Sequence, residues 1–218
     1  MIRNNDYKVV LIGDSTANKT AIFKKLYSGT FNDKNISTIG MDRRTLSFKD
    51  IEVEIKGKKQ KEDFNIMLYD TAGQERYRSI ASSYFRGSDI IFIIYNICYR
   101  NSFDNIESWL ESINEILSSW KTGHYLIILL GNNLNDNDER REVDEEEAKK
   151  FCEDKDIMWG GEIYIKIISV EQLNEIVINA WKAYVQKFGI KDEISSIKKI
   201  ESSKYKSKKK KKKIANNC

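Results

Sequence analysis

Asp70-Thr71-Ala72-Gly73-Gln74-Glu75-Arg76-Tyr77-Arg78 is the stretch on which the fold turns. It follows the apolar run from Phe64 to Tyr69, so Asp70 is expected to end a strand. An acidic residue there can hold Mg²⁺ through water, Gly73 can offer an unobstructed N–H to a γ-phosphate, and Gln74 can orient an attacking water for in-line phosphoryl transfer. The plain alternative is a strand end followed by a polar helix.

Upstream by 57 residues, Gly13-Asp14-Ser15-Thr16-Ala17-Asn18-Lys19-Thr20 stands where a phosphate-binding loop belongs. Such a loop aims backbone N–H groups and a helix N-terminus at anionic oxygens. A lysine reaches the terminal phosphates, and a hydroxyl binds Mg²⁺. The strict pattern requires glycine before Lys-Thr, and Asn18 stands there instead, where its β-carbon is expected to crowd the phosphates.

Working outward, Tyr7 to Gly13 reads as a buried strand running straight into a turn and a helix striped by Ala21, Ile22, Leu26 and Tyr27. A polar loop, Asn32 to Ser37, precedes a hairpin with arms at Arg44–Ile55 and Phe64–Tyr69, joined by the charged run Lys56 to Asp63. Strands are then expected at Ile90–Ile97, Tyr125–Leu130 and Ile163–Ile168. They alternate with helices at Ser102–Trp120 and Val143–Cys152, and a final helix carries Leu173, Ile176, Val177, Ala180, Trp181, Tyr184, Val185 and Phe188. This alternation predicts an α/β fold, and with the phosphate-loop-like segment it resembles the P-loop NTPase type. It is a three-layer α/β/α sandwich on a six-stranded, mostly parallel sheet with one antiparallel hairpin strand. Ligands in such folds sit at the carboxyl ends of the strands, so the loops after Ile12, Tyr69 and Leu130 are where chemistry is expected.

Composition narrows the function classes. The chain has 218 residues and a net charge of +4, no proline, a single histidine (His124, read as a strand-edge residue) and three cysteines, Cys98, Cys152 and Cys218. Their spacing and odd number argue against a disulfide framework or zinc site and for a reducing compartment. No apolar run reaches the roughly 18 residues of a spanning helix, and Met1 to Asp6 carries no secretory signal. From Ile190 to Cys218 there are eleven lysines against Asp192, Glu193 and Glu201, a surplus of 8 that leaves residues 1–189 at −4. Residues 1–189 are therefore expected to form the folded domain, and 190–218 a disordered polybasic tail.

These motifs make the chain resemble the Rab family of small GTPases from about Tyr7 to Phe188. The similarity runs through Tyr7 to Ser15, Ser37-Thr38-Ile39-Gly40-Met41-Asp42, Asp70 to Ile80, Ser82 to Gly87, Tyr95-Asn96-Ile97 and Asn101-Ser102-Phe103. The resemblance implies a GTP/GDP switch with Mg²⁺ that hydrolyses GTP slowly and regulates vesicle and membrane trafficking. It implies phosphate contacts from the loop Gly13 to Thr20, metal coordination by Thr20, Thr38 and Asp70, contact of Phe31 with the guanine ring, a γ-phosphate contact from Gly73, and catalysis by Gln74. Segments Phe31 to Asp42 and Gly73 to Phe85 would be ordered by GTP and loosened after hydrolysis. It further implies a monomer served by an exchange factor, an activating protein, a prenylation escort and effectors. Its place would be the cytoplasm, peripheral on the cytosolic face of an intracellular membrane.

Departures from the family pattern concentrate on the base side. The guanine-reading loop of the family is Asn-Lys-x-Asp; here it reads Asn132-Asn133-Leu134-Asn135. A carboxylate accepts two N–H donors from one base edge, whereas Asn135 offers one acceptor and one donor. An unpaired buried donor costs roughly 1–3 kcal/mol, enough to lower affinity about ten- to hundredfold. A one-residue slip would put Asn133 and Asp136 in the two roles. The family's Ser-Ala-Lys loop is expected to be missing, with Ile167-Ile168-Ser169-Val170 in a shortened connection. Arg43 and Tyr69 replace two aromatic residues of the family's effector-reading triad, and Tyr84 is kept. A second reading follows from Asn18 and Asn135: a nucleotide-weak or nucleotide-free scaffold attached to a membrane.

The tail Lys208 to Lys213 with Ile214-Ala215-Asn216-Asn217-Cys218 admits a solvated charge run, nucleic-acid binding, or lipid attachment. The resemblance favours prenylation of Cys218 with the lysines on anionic lipid and no nucleic-acid partner. One lipid chain anchors marginally, and a polybasic patch worth about 1 kcal/mol per lysine supplies the second signal.

Overall fold

The computed structural model describes residues 5–31, 41–71, 85–118, 123–134 and 139–191. Expectations for Thr38, Gly73, Gln74, Tyr84, Asn135, Asp136, Lys208 to Lys213 and Cys218 lie outside the described residues.

Six strands form one sheet in the order β2-β3-β1-β4-β5-β6. They are β1 (Asp6–Ile12), β2 (Met41–Ile55), β3 (Lys58–Thr71), β4 (Ile90–Asn96), β5 (Leu126–Asn133) and β6 (Met158–Tyr164). All neighbours pair in parallel except β2 with β3. The described helices are α1 (Lys19–Ser28), α2 (Arg100–Asp104), α3 (Ile106–Ser118), α4 (Glu145–Lys155) and α5 (Val170–Phe188).

The middle of the sheet follows from its apolar runs. β4 is buried along Ile90 to Tyr95 and β5 along its whole length, as strands covered on both faces must be. Successive side chains point to opposite faces. Val9, Leu11, Phe92, Ile94 and Ile128 therefore meet α1 and α5 through Ile22, Phe23, Leu173 and Trp181. Val10, Ile12, Ile91, Ile93 and Ile127 meet α3 and α4 through Trp109, Ile113, Ala148 and Cys152. The expected three-layer sandwich is the observed one. His124 precedes β5 and stacks on Phe188 with centroids 4.9 Å apart.

Three sequence expectations need correction. The charged run Lys56 to Asp63 is not a loop: β2 and β3 continue through it to the two residues Lys56 and Gly57, at φ 51° and 76°, the positive pair of a tight hairpin turn. Its charges pair across strands, Glu52 opposite Lys61 and Glu54 opposite Lys59, while Val53, Ile55 and Phe64 turn inward. The helix expected at Ser102–Trp120 is broken at Asn105 into α2 and α3. The last strand lies not at Ile163–Ile168 but at Met158–Tyr164. Ile165 to Ile167 form the turn that follows, and Ser169 caps α5.

Candidate functional site

The loop between β1 and α1 is shaped by two left-handed or open backbone positions. Gly13 has φ 131°, and a β-carbon there would lie 2.1 Å from the carbonyl oxygen of Ile94. Only glycine lets the loop pass that close to β4. At the other end, Asn18 adopts φ 56°, ψ 35°, a region asparagine tolerates best among residues with a β-carbon. Its Nδ2 donates to Thr16 O at 2.9 Å. The amide is thus folded back onto its own loop.

Four carbonyls of the loop have described side-chain partners. Lys19 Nζ donates to Gly13 O at 2.7 Å and Asp14 O at 2.8 Å. Asn96 Nδ2 reaches Thr16 O at 3.2 Å, and Asn132 Nδ2 reaches Ala17 O at 2.9 Å. Holding carbonyls this way fixes the opposite, N–H side of the peptide planes, the arrangement that receives anions. Lys19 is 3% exposed, and burial lowers its pKa to about 8 against the opposing pull of Asp70 and Asp14. A buried ammonium resting on carbonyls is a cation ready to exchange them for phosphate oxygens.

Asp14 points the other way. Its carboxylate accepts Asn105 Nδ2 at 2.6 Å and Trp109 Nε1 at 2.9 Å, tying the loop to the α2–α3 junction. Ser15 is exposed and Thr16 half-buried on the short turn Ser15–Ala17.

Thr20 Oγ1 donates to Asp70 Oδ2 at 2.7 Å. This joins the first turn of α1 to the end of β3, where Asp70 is fully buried. A hydroxyl and a carboxylate in contact are hard oxygen donors of the kind Mg²⁺ takes, and the ion keeps several waters besides. Among the described residues no group of three or more His, Cys, Asp or Glu is assembled for a metal. Thr71 Oγ1 bonds Leu11 O at 2.8 Å and locks β3 to β1 beside the pair.

On the base side, Asn132 is fully buried, and its Oδ1 has no hydrogen-bond partner among the described residues. A buried acceptor of this kind is uncommon and costly unless a donor arrives. Asn133 turns to the opposite face and accepts Cys98 Sγ at 3.4 Å. That register makes Asn132 the residue facing the loop and argues against the one-residue slip. Phe31 is half-buried against the same hydrophobic cluster as Ala17 and Leu134. Arg43 and Tyr69 lie directly opposite each other on β2 and β3.

Because β6 ends at Tyr164, the turn beside Asn133 is Ile165-Lys166-Ile167, with Ile165 N donating to Asn133 O at 3.1 Å. The connection after the last strand is therefore Ile165 to Ile167 rather than Ile167 to Val170, because the strand ends earlier than expected. Sequence reasoning also passed over Asn105 and Trp109. Their separation of four positions, which puts both on one helix face, was the available signal. A cavity of about 550 Å³ opens at the amino end of β5, lined by Leu110, Tyr125, Ile127, Lys155 and Phe188 among others. It lies at the far end of the sheet from the loop.

The profile of the Ras family matches residues 8–181. Ras-related protein Rab-10 of Caenorhabditis elegans is 40% identical over 151 residues, covering 69% of this chain and 68% of that protein. Ras-related protein Rab-8B of Homo sapiens is 39% identical over 156 residues, 71% of this chain and 69% of its own. Ras-related protein Rab-13 of Canis lupus familiaris is 38% identical over 151 residues, 69% and 68%.

Proposed function

The chain belongs to the Ras family of small GTPases, within its Rab group, and we propose that it is a guanine-nucleotide switch that hydrolyses GTP slowly and acts in membrane traffic. The observation that carries this reading is the convergence of Lys19, Thr20, Asp70 and Asn132 on one loop at the carboxyl ends of β1, β3 and β5. Lys19 and the loop amides take the phosphate charge, and Asn132 supports the base. Mg²⁺, when bound, neutralises phosphate oxygens, and Thr20 and Asp70 with Thr38 are the residues that would hold it. Gln74 orients the water, and Gly73 donates to the γ-phosphate. Asn133, Asn135 and Phe31 complete the base pocket. The tail from Lys208 to Cys218, lipidated at Cys218, carries the domain to a cytosolic membrane face, where exchange factor, activating protein and effectors meet it.

A fluorescent guanine nucleotide titrated with and without Mg²⁺ tests the reading. Binding that needs the ion, prefers guanine over adenine, and falls at least about tenfold in Lys19→Ala is expected. Absence of any Mg²⁺-dependent binding by the native chain overturns it. Asn135→Asp should raise guanine affinity about ten- to hundredfold by restoring a second acceptor. Asn18, Asn135 and the unmatched Ser-Ala-Lys loop favour the second reading, a membrane-attached scaffold with weak or no nucleotide binding. A native chain that binds anionic vesicles but no nucleotide establishes that one.

A further inference from the structure

α1 carries a second buried lysine. Lys25 lies on the helix that begins with Lys19 and Thr20, six positions and about 9 Å further along, and is 7% exposed. Its Nζ donates to Ile165 O at 2.8 Å and Lys166 O at 3.1 Å, two consecutive carbonyls of the turn after β6. The same turn is bonded from its other side by Ile165 N to Asn133 O at 3.1 Å. Burying an ammonium is expensive unless its donors are matched, and here two of them are spent on a turn that packs beside the base strand. Burial lowers the Lys25 pKa. Peptide planes are rigid, so fixing the Ile165 carbonyl toward α1 aims the amide of Lys166 away from α1.

We propose that Lys25 is a positioning residue that holds the Ile165–Lys166 turn against the base of the bound nucleotide and so sets how long the nucleotide stays. The inference rests on the guanine-nucleotide reading above and names the device that links phosphate helix and base turn. One helix then bears the phosphate lysine at its start and the staple of the base turn two turns later. A shift of α1 at the phosphate end is passed to the base end through a single side chain.

The test measures dissociation of GDP and of a non-hydrolysable GTP analogue from the full chain, native and Lys25→Met. Lys25→Met is expected to release both nucleotides about tenfold faster by the same factor, since two hydrogen bonds from a charged donor are lost on the base side only. Single-turnover hydrolysis of bound GTP should be unchanged, and Lys25→Arg, which can reach both carbonyls, should restore slow release. If Lys25→Met does not fold, Lys25→Gln, keeping one donor, should release at an intermediate rate. Native retention with unchanged release in the variants overturns this inference alone. Faster release accompanied by lost hydrolysis and lowered thermal stability overturns it too, by making Lys25 a general structural residue. A native chain that holds no nucleotide removes the inference together with the reading beneath it.

Discussion

Asn18 decides whether the loop is damaged or merely altered. Its positive φ would cost most side chains about 1–2 kcal/mol, yet asparagine occupies the region readily, and its amide recovers a bond to Thr16 O at 2.9 Å. Asn18→Gly removes both the strain and the bond and should change stability by less than about 1 kcal/mol. Asn18→Ala keeps the strain without the bond and should cost about 1–2 kcal/mol more than Asn18→Gly. Urea unfolding of the pair checks this, and equal stability of the two variants would show that the position is not held left-handed. Lys19 was legible from the sequence because its spacing from Gly13 is fixed by the loop. Asp14 was read as one more loop residue, and its bonds to Asn105 and Trp109 depend on a helix 91 and 95 positions away.

Among the elements, α5 is the one whose start is most fully specified. Ser169 Oγ accepts Gln172 N at 3.1 Å, and the Gln172 side chain accepts Ser169 N at 2.9 Å, so two orphan amides are satisfied reciprocally. Ser169→Ala should lower stability by about 1 kcal/mol in denaturant unfolding with the slope unchanged; no change would mean water caps the helix as well. The elements that sequence reading found carry long apolar patterns: Ile90 to Tyr95 of β4 and Leu126 to Leu130 of β5 are unbroken apolar runs, and α5 repeats its apolar stripe over 19 residues. The elements it misplaced are those whose stability comes from across the sheet. The outer hairpin is polar, with Glu52 opposite Lys61 and Glu54 opposite Lys59 on its exposed side. β6 contains Gly160 and Gly161 and is only half-buried along most of its length. A β-carbon at Gly160 would come 2.7 Å from Ile128 Cγ2, so what reads as a strand breaker is there for close packing.

For the whole molecule, the two ends of the sheet have separate tasks. The loop lies at the carboxyl end of β1, and the root of the tail is fastened at the amino end. Lys191 Nζ donates to Asp89 Oδ2 at 2.6 Å and to Asp6 O at 2.7 Å, over the ring of Tyr7. Seven residues of β1, about 23 Å of strand, lie between them. No described helix is long and apolar enough to cross a membrane. Vesicles with anionic lipid should bind the full chain with strong dependence on salt. Replacing Lys208 to Lys213 with glutamine should abolish most of that binding without altering nucleotide affinity. Equal binding to neutral vesicles, or stronger binding to duplex DNA across salt, would count against the membrane role.

The grip of Lys19, Thr20, Asp70 and Asn132 on a nucleotide is what the account stands on, and native material answers it directly. Protein purified in Mg²⁺ and then denatured should release stoichiometric guanine nucleotide on chromatography, and chelating the ion beforehand should strip it. Recovery of a protein free of any nucleotide, with Mg²⁺ present throughout, would contradict the account.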